Sequence, residues 1–101
     1  MSVPLRTRSD LKAAGRALAI KSADAVAAHF AGLPQAEMED EARIHAAFEG
    51  MLAEAATAGS EYLKAGIPPT WVRAFVNAFQ RAAVARLALY SLAARPAAND
   101  A

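Results

Sequence analysis

Apolar residues recur along this chain at intervals of three and four and nowhere alternate strictly, so the spacing predicts helices and no strand. The clearest run is Ile44, Phe48, Met51, Ala55, Ala58 and Tyr62, the seam of a packed helix expected from Gln35 to Ala58. Leu52 and His45 widen its face, and Gly59-Ser60 either kinks or ends it before a further turn through Tyr62 and Leu63. Glu37, Glu39, Asp40 and Glu41 fill its first turns, where acids complement the helix dipole. Beyond the break at Ile67-Pro68-Pro69, Thr70 is the expected cap of a last helix running from Trp71 to about Ala94, closed by Pro96. Trp71, Val72, Phe75, Val76, Phe79, Ala82, Ala83, Leu87, Leu89 and Tyr90 form one broad apolar arc on it. Arg73, Asn77, Gln80, Arg81, Ala88 and Ser91 lie opposite.

The N-terminal third is less regular. Residues 1–10 read as a basic flexible arm, and Ser9 or Asp10 can cap a helix beginning at Leu11. Leu11, Leu18, Val26 and Phe30 fall on one side of it, interrupted by Gly15 and by Lys21-Ser22-Ala23-Asp24. Ser22 is a second possible cap, so the segment is either one helix or two, ended by Gly32-Leu33-Pro34. The expected fold is all-α: an antiparallel helical hairpin with an additional N-terminal helix, one domain over 11–96, and a flexible tail over 97–101.

Composition changes this picture at one point. Of the 101 residues 29 are alanine, and only 27 are larger apolar side chains. Alanine favours helix but buries little area, so the core is thin. A homodimer that completes the core with a second copy is the expectation, with a compact monomer as the alternative.

Little in the chain points to catalysis. It has no cysteine, hence no thiolate site, and no glycine-rich phosphate loop. No apolar run approaches a membrane span, and the first residues lack the form of a signal peptide, so a cytoplasmic protein is expected. His29 and His45 fall on different helices and form no metal-binding spacing. His45, with Glu41 and Glu49 one turn to either side, reads as a helix-surface pair in preference to a metal or acid–base site. No enzyme activity, cofactor or metal is therefore expected. Arg86 is the odd residue, projecting into the apolar arc of the last helix. Either it meets an acid, with Glu49 and Glu54 as candidates, or it snorkels past the helix edge.

Charge is more informative. The formal net charge of +1 conceals +3 over residues 1–34, −5 over 35–66 and +3 over 67–101. An acidic central helix can steer a basic partner, although such segments also pair with one another inside a bundle. The basic residues Arg6, Arg8, Lys12 and Arg16 can instead touch nucleic acid, together with Arg73 and Arg81, or an acidic partner.

Several short motifs resemble those of the TraM antiactivator family. Gly32-Leu33-Pro34 followed by Glu37-Met38-Glu39 is similar to that family's GLP-x-x-acid-aliphatic-Glu opening, and Arg43-x-His45-x-x-Phe48 resembles its Arg-x-His-x-x-Leu. Tyr62-Leu63-Lys64-x-Gly66 is similar to its Tyr-Lys-x-Gly, and the long apolar helix ending near a proline, here Leu87 through Pro96, closes both patterns. The resemblance spans residues 32 to 96 with small gaps; the chain departs from the family in about ten extra residues before the GLP and in an alanine- and arginine-rich last helix. It implies a dimer of helical hairpins that binds a LuxR-type quorum-sensing activator such as TraR, blocks its DNA binding and so restrains plasmid conjugation. On this reading Glu37, Glu41, Arg43, His45, Glu54 and Glu61 contact the partner, Phe48, Leu52, Phe75, Phe79 and Leu87 form the core, and direct nucleic-acid binding is not expected. The alternative is a small helical nucleic-acid-binding or phage/plasmid accessory protein, and a purely structural helical oligomer is a third class.

Overall fold

A computed structural model describes residues 7–93. These residues form four helices and no strand: α1 (Arg8–Ala31), the single turn α2 (Gln35–Met38), α3 (Glu41–Lys64) and α4 (Pro69–Ala93). The all-α class is as the spacing predicts. Residues 1–6 of the expected arm over 1–10, and the whole of the expected tail over 97–101, lie outside the described residues, whereas residues 7–10 of that arm are the cap and first turn of α1.

α1 is one helix and starts earlier than expected. Thr7 is its cap: its hydroxyl accepts from the Asp10 N–H at 3.1 Å, while the Asp10 carboxylate accepts from the Thr7 N–H at 2.9 Å. This reciprocal box satisfies two otherwise orphaned donors and draws Arg8, Ser9 and Asp10 into the first turn. Ser22 does not cap a second helix. It is buried, and its hydroxyl donates to Glu54 Oε2 at 2.7 Å on α3.

The predicted central helix is broken near its start. Glu37, Glu39, Asp40 and Glu41 are four acids within five residues, and one continuous helix would stack Glu37 over Glu41. Instead Asp40 leaves the helix, and its carboxylate caps α3 by accepting from the Ala42 N–H at 3.0 Å. From there α3 runs unbroken through Gly59-Ser60 to Lys64. It ends in a left-handed Gly66 (φ 89°), with Ile67 N–H donating to the Tyr62 carbonyl and Gly66 N–H to that of Leu63. Such a turn favours glycine, and Pro68-Pro69 prevents further α3 helix. The cap of α4 is Pro68, not Thr70. Its carbonyl accepts from Trp71 and Val72, and Pro69 occupies the first helical position.

α3 and α4 form the expected antiparallel hairpin. Near the turn Gly59 lies against Val72, and the Tyr62 ring meets Phe75 edge-on at 5.1 Å. α1 packs mainly on another flank of α4, touches α3 through Ser22 and Glu54, and runs in the same direction as α4, since Gly15 meets Phe75 and Asp24 meets Arg86. α4 is therefore buried on two sides. Among the described residues Phe75 and Phe79 fill the centre, with Leu11, Met51 and Val72 the other buried hydrophobic residues larger than alanine, while Ala19, Ala23, Ala55, Ala74 and Ala83 make up the remainder of the apolar core. Of the other expected core residues, Leu52 and Leu87 pack against this cluster half-buried, and Leu89 of the apolar arc is exposed.

Candidate functional site

Where α1 ends and α3 begins, the bundle opens into an apolar groove of about 560 Å3. Val26 and Phe30 come from α1, Met38 from α2, and Ile44, Phe48 and Met51 from α3. The return of the chain at Gly32-Leu33-Pro34 sets these residues against one another. Ile44, expected in the packed seam, is 48% exposed at the mouth of the groove, and Phe48, expected in the core, is half-buried in its wall.

Leu87 and Tyr90 of α4 complete the lining. Tyr90 is fixed from behind: its hydroxyl donates to Asp24 Oδ1, and Arg86 Nε donates to the same oxygen at 3.0 Å while Arg86 Nη2 reaches Oδ2 at 3.4 Å. The Arg86 guanidinium also stands 5.7 Å from the centre of the Tyr90 ring. These bonds, Arg86's first and then Tyr90's, hold the Asp24 carboxyl below its ordinary range. In return Asp24 raises both the guanidinium and the phenol. Arg86 thus meets an acid, but on α1 and not at Glu49 or Glu54. Asp24 went unrecognised because Lys21-Ser22-Ala23-Asp24 reads as an interruption of α1. The usable signal was one charged residue set in the otherwise apolar inner half of each of two helices.

The residues expected to contact a partner do not gather at one place. Glu37 and Arg43 pair at 3.4 Å across the α2–α3 break, beside the groove. Glu41 and His45 lie one turn apart on exposed α3 surface, where His45 Nε2 meets Glu49 Oε1 at 2.9 Å. Glu54 is held by Ser22, and Glu61 pairs with Lys64 at 3.5 Å about 30 Å along α3 from Glu41. Only Glu37, Glu41, Arg43 and His45 share the groove end with Met38 and Ile44.

Among the described residues no group of His, Asp or Glu is placed to hold a metal ion, and no helix is long and apolar enough to cross a membrane. The arrangement offers apolar contact edged by acids. No known protein family, no curated protein and no solved structure matches the chain.

Proposed function

We propose that the protein is a dimeric, cytoplasmic regulator that acts by sequestration: its apolar groove captures a basic amphipathic helix of a LuxR-type transcription activator, blocks the activator's DNA binding and so restrains conjugation. The observation that carries this reading is the groove itself. A small helical bundle that leaves Phe30, Ile44, Phe48 and Met38 around one open concavity has the form of a helix-binding groove. Met38 and Met51 add adaptable side chains, as surfaces that accept a partner's helix use them.

Charge supports the same partner. Glu37, Glu39, Asp40 and Glu41 flank the groove, and Arg43 neutralises only one of them. The DNA-reading helix of an activator is basic on its polar face, so its apolar face can enter the groove while the acids receive its cations. The activator's class rests on the resemblance to the TraM family alone.

The test is capture of a LuxR-type activator by the full chain at micromolar concentration, with the variant Ile44→Asp alongside. The wild-type chain is expected to retain the activator, and a charge at the groove mouth to weaken retention at least about tenfold, the loss of one good apolar anchor. No retention, or retention indifferent to Ile44→Asp, overturns the reading.

A further inference from the structure

Away from the apolar groove, where the first half of α1 lies beside the first half of α4, the two helices border a second groove of about 480 Å3. Arg8, Lys12 and Arg16 line it from α1, Asn77 and Arg81 from α4, and alanines of α4 form its floor. We propose that this groove binds the phosphodiester backbone of duplex nucleic acid without reading its sequence. The proposal is independent of the helix-capture reading and of the residues that carry it.

Three observations point to a polyanion. Arg8, Lys12 and Arg16 repeat at every fourth residue, so one cation stands on each turn of α1, about 6 Å apart, and Arg81 faces them across the groove. None of the four has an ion-pair partner among the described residues, and no acid lines the groove. Like charges at this spacing repel, and Arg8 in the first turn also opposes the helix dipole. The bundle thus carries an electrostatic cost that a chain of regularly spaced anions would relieve. α4 contains no acid at all, while the seven acids of residues 35–66 lie on the α2–α3 side.

The groove's chemistry also separates the candidate polyanions. A bound acidic peptide draws affinity from buried apolar anchors, and among the described residues the groove offers only alanine methyls as apolar groups. A single strand is held by stacking its bases on aromatic rings, and among the described residues no aromatic one lines the groove. Duplex backbone needs neither. Its affinity comes from cations that displace condensed counterions, with polar groups such as the Asn77 amide adding phosphate contacts. The close packing of α1 on α4 at Gly15 keeps the two rows of donors at a fixed separation.

The test uses the full chain and a fluorescent duplex of about twenty base pairs, titrated between about 50 and 200 mM salt. With four cations engaged, log K is expected to fall against log salt with a slope near −3 to −4. The variant Arg16→Gln/Arg81→Gln, both exposed, is expected to keep the wild-type helical content and melting temperature, bind at least about tenfold more weakly at the low-salt end, and lose about 2 from the slope. Ile44→Asp is expected to bind the duplex like the wild type, so failure here and failure of helix capture are distinguishable. Absence of duplex binding at low salt overturns the proposal, as does a slope unchanged in the double variant. Tighter binding of a single strand of the same length, or equal competition by polyglutamate per charge, also overturns it.

Discussion

A β-carbon built on Gly15 stands 2.4 Å from the Phe75 carbonyl oxygen and 3.2 Å from the Phe79 nitrogen. Both atoms belong to backbone, which cannot swing aside as a side chain tip can. Gly15→Ala gains helix propensity but must push α1 off α4, and overpacking of this kind costs about 1–3 kcal/mol. Its melting temperature is expected to fall by roughly 4–8 °C per kcal/mol. Gly50, in the interior of α3, has nothing within 4 Å of its added carbon, so Gly50→Ala is expected to stabilise by up to about 1 kcal/mol in the same denaturation assay. Asp24 answers to pH instead of volume. Since Arg86 and Tyr90 hold its carboxyl low, the folded chain protonates there less readily than the unfolded one. The stability this confers is present above the ordinary carboxylate value near ~3.9 and lost as pH falls through the lower folded value. Tyr90 has the opposite sign: its phenol is raised, so its share is present below about 10 and lost as pH rises through its folded value. Asp24→Asn is therefore expected to have a lower urea midpoint than wild type at neutral pH, with the gap closing below about pH 4. A gap that persists undiminished in acid would mean that the charge of Asp24 is not what holds α1 to α4.

Among the elements, the two proline breaks and the α3–α4 hairpin were legible because each rests on a local rule: proline stops a helix, and a seam with steps of three and four has one buried face. The seam also located Ile44, Phe48 and Met51, the α3 wall of the groove, although their spacing alone points inward and not to an open wall. What escaped is tertiary. Gly15 and Lys21-Ser22-Ala23-Asp24 look like flaws in an amphipathic α1, and they are its contacts: a close approach, a hydrogen bond to Glu54 and an ion pair with Arg86. The apolar arc of α4 implies one buried face, whereas α1 covers a second, where Ala74 is buried. Caps failed for a related reason, since Ser9, Asp10 and Thr70 are all good capping types and only hydrogen bonding selects among neighbours. The α2–α3 break offers a test at this scale. Asp40→Ala removes the side chain that accepts from Ala42 and is expected to cost about 1 kcal/mol, while Asp40→Asn, which caps equally well, leaves the melting temperature within about 2 °C. Equal losses in the two variants would assign the effect to charge among the acids in place of the cap.

At the scale of the whole molecule, charge and core pull in different directions. α1 and α4 together carry +5 and residues 35–64 carry −5, so the bundle is polarised across its width while its net charge is near zero. That polarity attracts α3 to its neighbours, but α3 gains little buried apolar area in return: Met51 and Ala55 are its buried apolar residues, and among the described residues five of the ten buried hydrophobic ones are alanine. Chains of about this length bury a modest fraction of their surface, and a core this thin leaves a small margin over conformational entropy. A twofold association raises that margin by mass action, because the assembly stabilises the folded state and not the unfolded one. The melting temperature is therefore expected to rise with protein concentration across roughly a hundredfold range, and the native mass at high concentration to be twice that of the chain. Ile44→Asp discriminates between sites for that association. If the groove receives a partner's helix, the variant remains a dimer while losing the activator. A variant that becomes monomeric would place the second copy in the groove, and a melting temperature independent of concentration would make the thin core self-sufficient.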